Sequence, residues 1–167
     1  MRILSKISFA SVLIIASFYA NVAVAQETAS TQAIEQADIN SQQELIDLFI
    51  AAAKTGQIEV IDEFLKYGFP VDARNKAGYT ALMMATYYGH QDIGTMLLKN
   101  GADRCLRDNK GNTALMGAIF KLEWSIAKQL RSVDCDTNAS QTGQKTVAEF
   151  AKIIGQDEKL KQLINEK

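Results

Sequence analysis

The sequence contains few of the residues that usually perform catalysis or bind metals. It has one histidine, His90, and two cysteines, Cys105 and Cys135, which stand 30 positions apart with no second pair beside them. Zinc sites use four closely spaced Cys and His ligands, so this distribution argues against one. A glycine-rich phosphate-binding loop is missing, and the carboxylates are scattered rather than paired. We therefore expect no metal, no cofactor and no enzymatic activity.

A run of apolar residues long enough to span a membrane is also missing. The candidate, Ile7–Ala20, follows a basic start and leads to the small-residue site Ala23–Ala25. These are the three parts of a secretory signal peptide, so we predict that residues 1–25 are removed after export. The alternative is a retained membrane anchor, but a bilayer span needs roughly 20 apolar residues. We expect no membrane attachment once the signal peptide is gone.

Basic residues are too few and too scattered to bind nucleic acid. Cleavage removes Arg2 and Lys6 from 18 basic residues, which leaves 16 against 19 acidic ones and a net charge of −3. Binding to a phosphate backbone needs clustered Lys and Arg, so no nucleic-acid partner is expected. The mature chain of about 140 residues is long enough for one domain with a continuous core.

The sequence does contain an internal repeat, whose period is the spacing between Gly78 and Gly111. Glycine, threonine, leucine and alanine markers recur together in this register. They are Gly78 and Gly111; Thr80, Thr113 and Thr146; Leu82 and Leu115; and Ala52, Ala85, Ala118 and Ala151.

This layout resembles the ankyrin repeat, which has a period of about 33 residues and a Thr-Pro-Leu-His-x-Ala core. Thr80, Leu82 and Ala85 match that core, and Ala81 stands in place of the proline. The resemblance implies an all-α ankyrin-repeat solenoid, in which helix-turn-helix units stack and short hairpin-like fingers join them. The expected repeat domain covers residues 43–167. Its units are about 43–76, 77–109 and 110–142, with a C-terminal cap at 143–167.

Residues 26–42 precede this domain and carry only Ile34 and Ile39 as larger apolar residues. We expect a flexible leader or a frayed helix there, because so little apolar surface cannot be buried. Leu45, Leu48, Phe49 and Ala52 then return at helical spacing, which predicts a buried stripe.

The resemblance also suggests roles for several individual residues. Thr80 would cap the first helix of its repeat. Leu122 stands where the repeat has glycine, which leaves the turn geometry of the third repeat open. His90 occupies the Gly-His position of the repeat, which favours a structural hydrogen bond to the backbone. Cys105 and Cys135 fall on neighbouring fingers, so they are either a disulfide pair or two free thiols.

In ankyrin-like stacks the finger tips and first helices line a concave face. The first repeat offers Lys54, Thr55 and Arg74 to that face. Aromatic and basic residues resemble the make-up of interaction surfaces, although Tyr87 and Tyr88 have an alternative role in packing between helices. Trp124 is either a core plug or an exposed anchor. The partner-binding residues that we predict are Lys76, Tyr79, Tyr87, Tyr88, Asn109, Lys110, Asn112, Phe120 and Lys121.

The resemblance and the signal peptide together indicate a monomeric, non-enzymatic protein-binding module that acts in the periplasm. Similar exported bacterial proteins suggest two roles, which are support of a stress-protective enzyme and neutralisation of an envelope toxin. The alternative is a protein that binds a small molecule or a cell-wall ligand, with or without hydrolytic activity. That alternative needs a deeper pocket than the shallow groove usual in such stacks.

Overall fold

A computed structural model describes residues 35–131, 134–136, 139 and 142–165. The described residues form eight helices and contain no strand, which confirms the all-α solenoid expected from the sequence. The helices are α1 (residues 35–55), α2 (Ile58–Lys66), α3 (Ala81–Tyr87), α4 (Gln91–Lys99), α5 (Ala114–Phe120), α6 (Trp124–Leu130), α7 (Val147–Ile153) and α8 (Asp157–Asn165).

The chain divides into two compact units, residues 1–42 and residues 43–167. Of the first unit, residues 35–42 are described and are helical. The predicted signal peptide, residues 1–25, lies outside the described residues. None of the helices that are described combines the length and the apolar character needed to cross a bilayer.

The second unit is a stack of helix pairs joined by fingers. We call residues 67–80 the first finger, 100–113 the second and the described residues between 131 and 146 the third. Helix α5 packs against both α3 and α7, while α4 packs against α2 and α6. First helices therefore adjoin first helices and second helices adjoin second helices, which is the arrangement of a solenoid. The largest fully buried hydrophobic residues are Phe49, Ile61, Leu82, Leu97, Met116, Ile119, Ile126 and Leu130.

Threonine begins the first helix of three successive repeats. The hydroxyls of Thr80, Thr113 and Thr146 each accept a hydrogen bond from the backbone N–H three residues later, at 3.3, 3.3 and 3.1 Å. At the last of these, Glu149 completes a capping box by accepting from the Thr146 N–H at 2.8 Å. That backbone hydrogen bond, followed by one from the Thr146 hydroxyl, lowers the pKa of Glu149. A threonine cap stabilises a helix by about 1 kcal/mol, a large share for helices of seven residues.

The buried stripe of helix α1 differs in part from the one predicted from the sequence. Phe49 and Ala52 are buried as predicted, but Leu45 and Leu48 are 47% and 53% exposed. The buried face instead continues through Ile50. The first repeat of a stack has a neighbouring repeat on one side only, so part of its apolar stripe stays uncovered.

The turn of the third repeat keeps its geometry without glycine. Leu122 has a φ of 63°, close to the 78° of Gly89 and the 70° of Gly155 at the equivalent positions. A residue with a Cβ is strained in this left-handed region, by about 1–2 kcal/mol. Trp124 follows as the first residue of α6, partly buried and packed against the core, which favours the core-plug role over the exposed anchor.

Replacing Leu122 by glycine is expected to stabilise the protein by about 1 kcal/mol, because the backbone strain at the positive φ disappears. Thermal unfolding followed by circular dichroism should then show a melting temperature higher by about 2–4 °C. Lys121→Gly is the matched control, because Lys121 has a φ of −89° and gains nothing from glycine. If the Leu122→Gly variant melts at or below the wild-type temperature, the prediction that Leu122 is strained at this turn is wrong.

A disulfide joins Cys105 of the second finger to Cys135 of the third, with the Cα atoms 4.9 Å apart. Neither cysteine is free, so the structure contains the disulfide rather than two thiols. The bond closes a loop across a sequence separation of 30 residues, which includes all of α5 and α6. It therefore ties together the two fingers on either side of the third repeat.

The double variant Cys105→Ala, Cys135→Ala should lower the free energy of unfolding by about 3 kcal/mol, because the unfolded chain loses the constraint on that loop. Alanine fits at position 135, since the equivalent residue one repeat earlier is Ala102. Urea unfolding with and without dithiothreitol supplies the control. Dithiothreitol should lower the free energy of unfolding of the wild type by a similar amount and leave that of the variant unchanged. A wild type whose free energy of unfolding does not change with dithiothreitol contradicts the prediction.

Candidate functional site

A groove of about 680 Å³ runs across the first helices and the fingers beside them. Helices α1, α3, α5 and α7 all contribute to its lining. Neither α3 nor α5 carries a charged residue, so the central part of the groove is apolar. Ile50, Met83 and Met116 lie in its floor and are at most 5% exposed.

The structure brings together six of the nine residues predicted to bind a partner. All six line the groove, and the other three, Lys76, Asn109 and Lys121, are not among its lining residues. The six are Tyr79, Tyr87, Tyr88, Lys110, Asn112 and Phe120.

Asn109 has a structural place between two fingers. Its side-chain amide donates to the Lys76 carbonyl at 2.9 Å, and its backbone N–H donates to the Ala77 carbonyl at 3.1 Å. A Cβ atom at Gly78 would lie only 2.5 Å from the Asn109 Oδ1 atom, so glycine permits this close approach. These contacts position the second finger against the first at the edge of the groove.

Three aromatic side chains form a cluster at one end of the two central first helices. The Tyr87 and Phe120 rings are stacked, with centroids 6.1 Å apart and an angle of 14° between their planes. The Tyr88 ring lies 5.1 Å from Tyr87 in an edge-on arrangement. Tyr88 and Phe120 are 44% and 53% exposed, whereas Tyr87 is partly buried. Tyr87 therefore packs between neighbouring helices, and the two outer rings present apolar surface to solvent.

Two lysines lie over the faces of this cluster. The Lys121 ammonium is 5.1 Å from the centroid of the Tyr87 ring, and the Lys54 ammonium is 5.5 Å from that of Tyr88. A cation over an aromatic face is attracted by the negative charge density of the ring. Lys121 thus belongs to the same surface as the groove residues, although it is not part of the lining.

Arginines at equivalent positions hold successive fingers together, a role that we did not predict. Arg74 donates to the backbone carbonyls of Gly78 and Arg107, so its guanidinium links the first finger to the second. Arg107 donates to the Gly111 carbonyl at 2.7 Å and pairs with Asp136 of the third finger at 3.1 Å. The sequence contained a signal for this role, because the two arginines are one repeat period apart.

His90 makes a contact between repeats. Its Nε2 atom lies 3.0 Å from the Lys54 carbonyl oxygen, and its ring rests against Gly56, where a Cβ would come within 2.8 Å. In the next repeat Glu123 takes the same place against Gly89. Within the part of the chain that is described, no three His, Cys, Asp or Glu side chains are grouped so that they could hold a metal ion.

The His90→Ala variant should unfold more easily by about 1–2 kcal/mol, because the Lys54 carbonyl loses its hydrogen-bond partner and a gap opens beside Gly56. Urea titration of the variant measures this loss. Gln91→Ala is the control, since Gln91 is the exposed neighbour at the start of the same helix. Equal stability of His90→Ala and the wild type would show that the contact is dispensable.

Comparison with known proteins agrees with this architecture. A family model described as "Ankyrin repeats (3 copies)" matches residues 13–108 and 48–141. The chain is 36% identical over 81 residues to "Potassium channel AKT2/3" of Arabidopsis thaliana, a match that covers 48% of this chain and 10% of the relative. It is 36% identical over 80 residues to a "Putative ankyrin repeat-containing protein" of Treponema pallidum, which covers 47% of this chain and 27% of that protein.

A third similar protein is "Protein HOS4" of Saccharomyces cerevisiae, 42% identical over 73 residues, or 42% of this chain and 7% of the relative. The chain thus spans only about a tenth of the length of the first two curated relatives it matches in plants and yeast. The family model covers more than half of the sequence, and the chain belongs to the ankyrin repeat family.

Proposed function

We propose that this chain is an exported, non-enzymatic module that binds a protein partner in the groove and acts in the periplasm. Ankyrin repeats are generally protein–protein interaction modules. The observation that carries the proposal is the groove itself, in which the uncharged helices α3 and α5 end at exposed aromatic rings with lysines close to them. Protein interfaces are enriched in aromatic anchors with a polar rim, and this surface has both.

Two further observations support export. Residues 1–25 carry the pattern of a secretory signal peptide. The repeat domain contains a disulfide, and disulfides persist in oxidising compartments such as the periplasm. For a protein of this kind we propose one of two roles, either support of a stress-protective enzyme or neutralisation of a toxin that acts in the envelope.

A second candidate function is the binding of a small molecule or a cell-wall ligand. The groove volume of about 680 Å³ falls inside the range of roughly 300–1,000 Å³ typical of small-molecule sites, and its floor is apolar. His90, the single histidine, is our candidate general base for hydrolysis, although its ring contacts the Lys54 carbonyl and does not line the groove. Activity on peptidoglycan or lipid substrates that is lost in folded His90→Ala would favour this candidate over protein binding.

The protein-binding proposal is tested with the mature chain, residues 26–167, as bait in a periplasmic extract. The variant Tyr87→Ala, Tyr88→Ala should weaken binding of the recovered partner by about 2 kcal/mol or more, because rigid aromatic side chains lose little entropy when they become anchors. Isothermal titration calorimetry with the purified partner measures the difference.

Lys161→Ala is the control for this experiment, since Lys161 lies on α8 and pairs with carboxylates of its own helix. It should leave the affinity unchanged. Melting curves accompany each titration, because lost packing at Tyr87 lowers stability on its own. A tyrosine variant that melts earlier yet binds with full affinity would assign these rings to packing alone, and an extract that yields no specific protein would count against the function itself.

A further inference from the structure

Among the residues that the structure describes, three lysines at the groove form no ion pair with a carboxylate, whereas Lys66 and Lys161 elsewhere in the stack do. Lys54 and Lys110 line the groove and Lys121 lies beside it, and within the described residues none of the three has a carboxylate in ion-pair distance. Lys66 and Lys161, on helices α2 and α8, each form two ion pairs within their own helix. The ammonium groups of these three lysines are therefore not neutralised by an ion pair with any described residue.

The two acidic residues that line the groove leave these charges available. Asp108 is only 8% exposed, and its Oδ1 atom accepts hydrogen bonds from the backbone N–H groups of Lys110 and Asn112 at 2.9 and 2.8 Å. Asp47 is exposed and accepts from the Gln43 amide at 3.2 Å. Among the lining residues, two exposed lysines thus stand against one exposed carboxylate, that of Asp47, because Asp108 is buried.

The lysines and the aromatic rings are arranged so that a ligand can use both. An ammonium group has three N–H donors. A contact with a ring face does not use them as hydrogen bonds to a carboxylate would, so they stay available to a ligand. The exposed parts of Tyr88 and Phe120 lie beside the same lysines and offer apolar surface. A carboxylate and an apolar side chain that are close together on one ligand fit this pattern.

We propose that the groove takes an acidic, apolar protein segment, in which Asp or Glu side chains flank an aromatic or large aliphatic anchor. This inference rests on the proposed function and specifies the chemistry of the partner at the same groove. The carboxylates pair with Lys54, Lys110 and Lys121, and the anchor packs on the rings and on the uncharged surface of α3 and α5. A basic segment would place like charges together, which costs affinity and slows association.

Selection of random 12-residue peptides on the disulfide-bonded mature chain tests this proposal. We expect the enriched peptides to be acidic and to contain at least one aromatic or large aliphatic residue. For synthesised peptides, the variant Lys54→Glu, Lys121→Glu should raise Kd by about tenfold or more and reduce the dependence of the association rate on salt. A 12-nucleotide single-stranded DNA serves as a second anionic probe.

The matched control is Lys99→Glu, Lys159→Glu, which makes the same change in net charge on helices α4 and α8. Both of these lysines are exposed, and neither lines the groove. The control should change Kd by no more than about twofold, because charges more than a Debye length from the bound peptide are screened. Circular dichroism confirms that both double variants keep the wild-type helix content.

The outcomes separate this inference from the proposed function. Neutral or basic peptides that lose affinity in Tyr87→Ala, Tyr88→Ala overturn the inference about charge and leave the groove as a protein-binding site. Peptides that bind the tyrosine and lysine variants with the same Kd as the wild type would show that the groove is not the binding site. An absence of enriched peptides overturns the inference, while capture from the extract still tests the function separately. DNA that binds as tightly as the peptides overturns the assignment to a protein segment.

Discussion

The close approach of the first helices is the constraint on which the rest of this structure depends. The same small residue recurs in each of these helices at intervals of one repeat, and none of the four is more than 2% exposed. A larger side chain there would push neighbouring helices apart, because protein interiors leave no room for added methylene groups. Each helix pair then buries its apolar face on the next pair. The four residues are Ala52, Ala85, Ala118 and Ala151.

Close packing of helices creates buried polar groups, and the repeat satisfies them with side chains near the helix ends. Thr86 is fully buried, and its single O–H is shared between the Met83 carbonyl of its own helix, at 3.0 Å, and the Ala114 carbonyl of the next repeat, at 3.3 Å. Burying the Thr86 hydroxyl without a partner would cost about 1–3 kcal/mol. In the fingers, Arg74 and Arg107 bind backbone carbonyls of the following finger at sites that remain exposed to solvent.

The groove is a consequence of the same packing. Since caps and fingers satisfy the polar ends, the seven-residue helices α3 and α5 need no charged residue of their own. Their exposed sides can therefore be apolar, and the charges lie on residues that flank them, such as Lys54, Lys110 and Lys121. An apolar surface with cations at its edge therefore follows from how the stack is built.

Much of the fold and of the groove could be predicted from the sequence, because the same residue pattern recurs in each repeat and each copy supports the same interpretation. That period places the threonines at helix starts and the alanines at crossings, and it brought six of nine predicted residues to the groove. Two kinds of feature were wrong or open. Leu45 and Leu48 were expected to be buried, but a periodic apolar pattern does not tell where a stack ends. The sequence left the geometry of the turn at Leu122 undecided, because the strain of one residue does not exclude a turn that the surrounding structure holds in place.

The sequence by itself determined the helix pairs, their order and their register, because these depend on residue spacing and on caps that act within a few positions. Only the tertiary structure decided the contacts between residues that are about one repeat apart. It joined Cys105 to Cys135, placed Arg74 against the next finger, and set the Tyr87 ring between two helices with Phe120 stacked upon it. The spacing of residues along a chain defines which faces meet, and the packing of those faces determines which atoms touch.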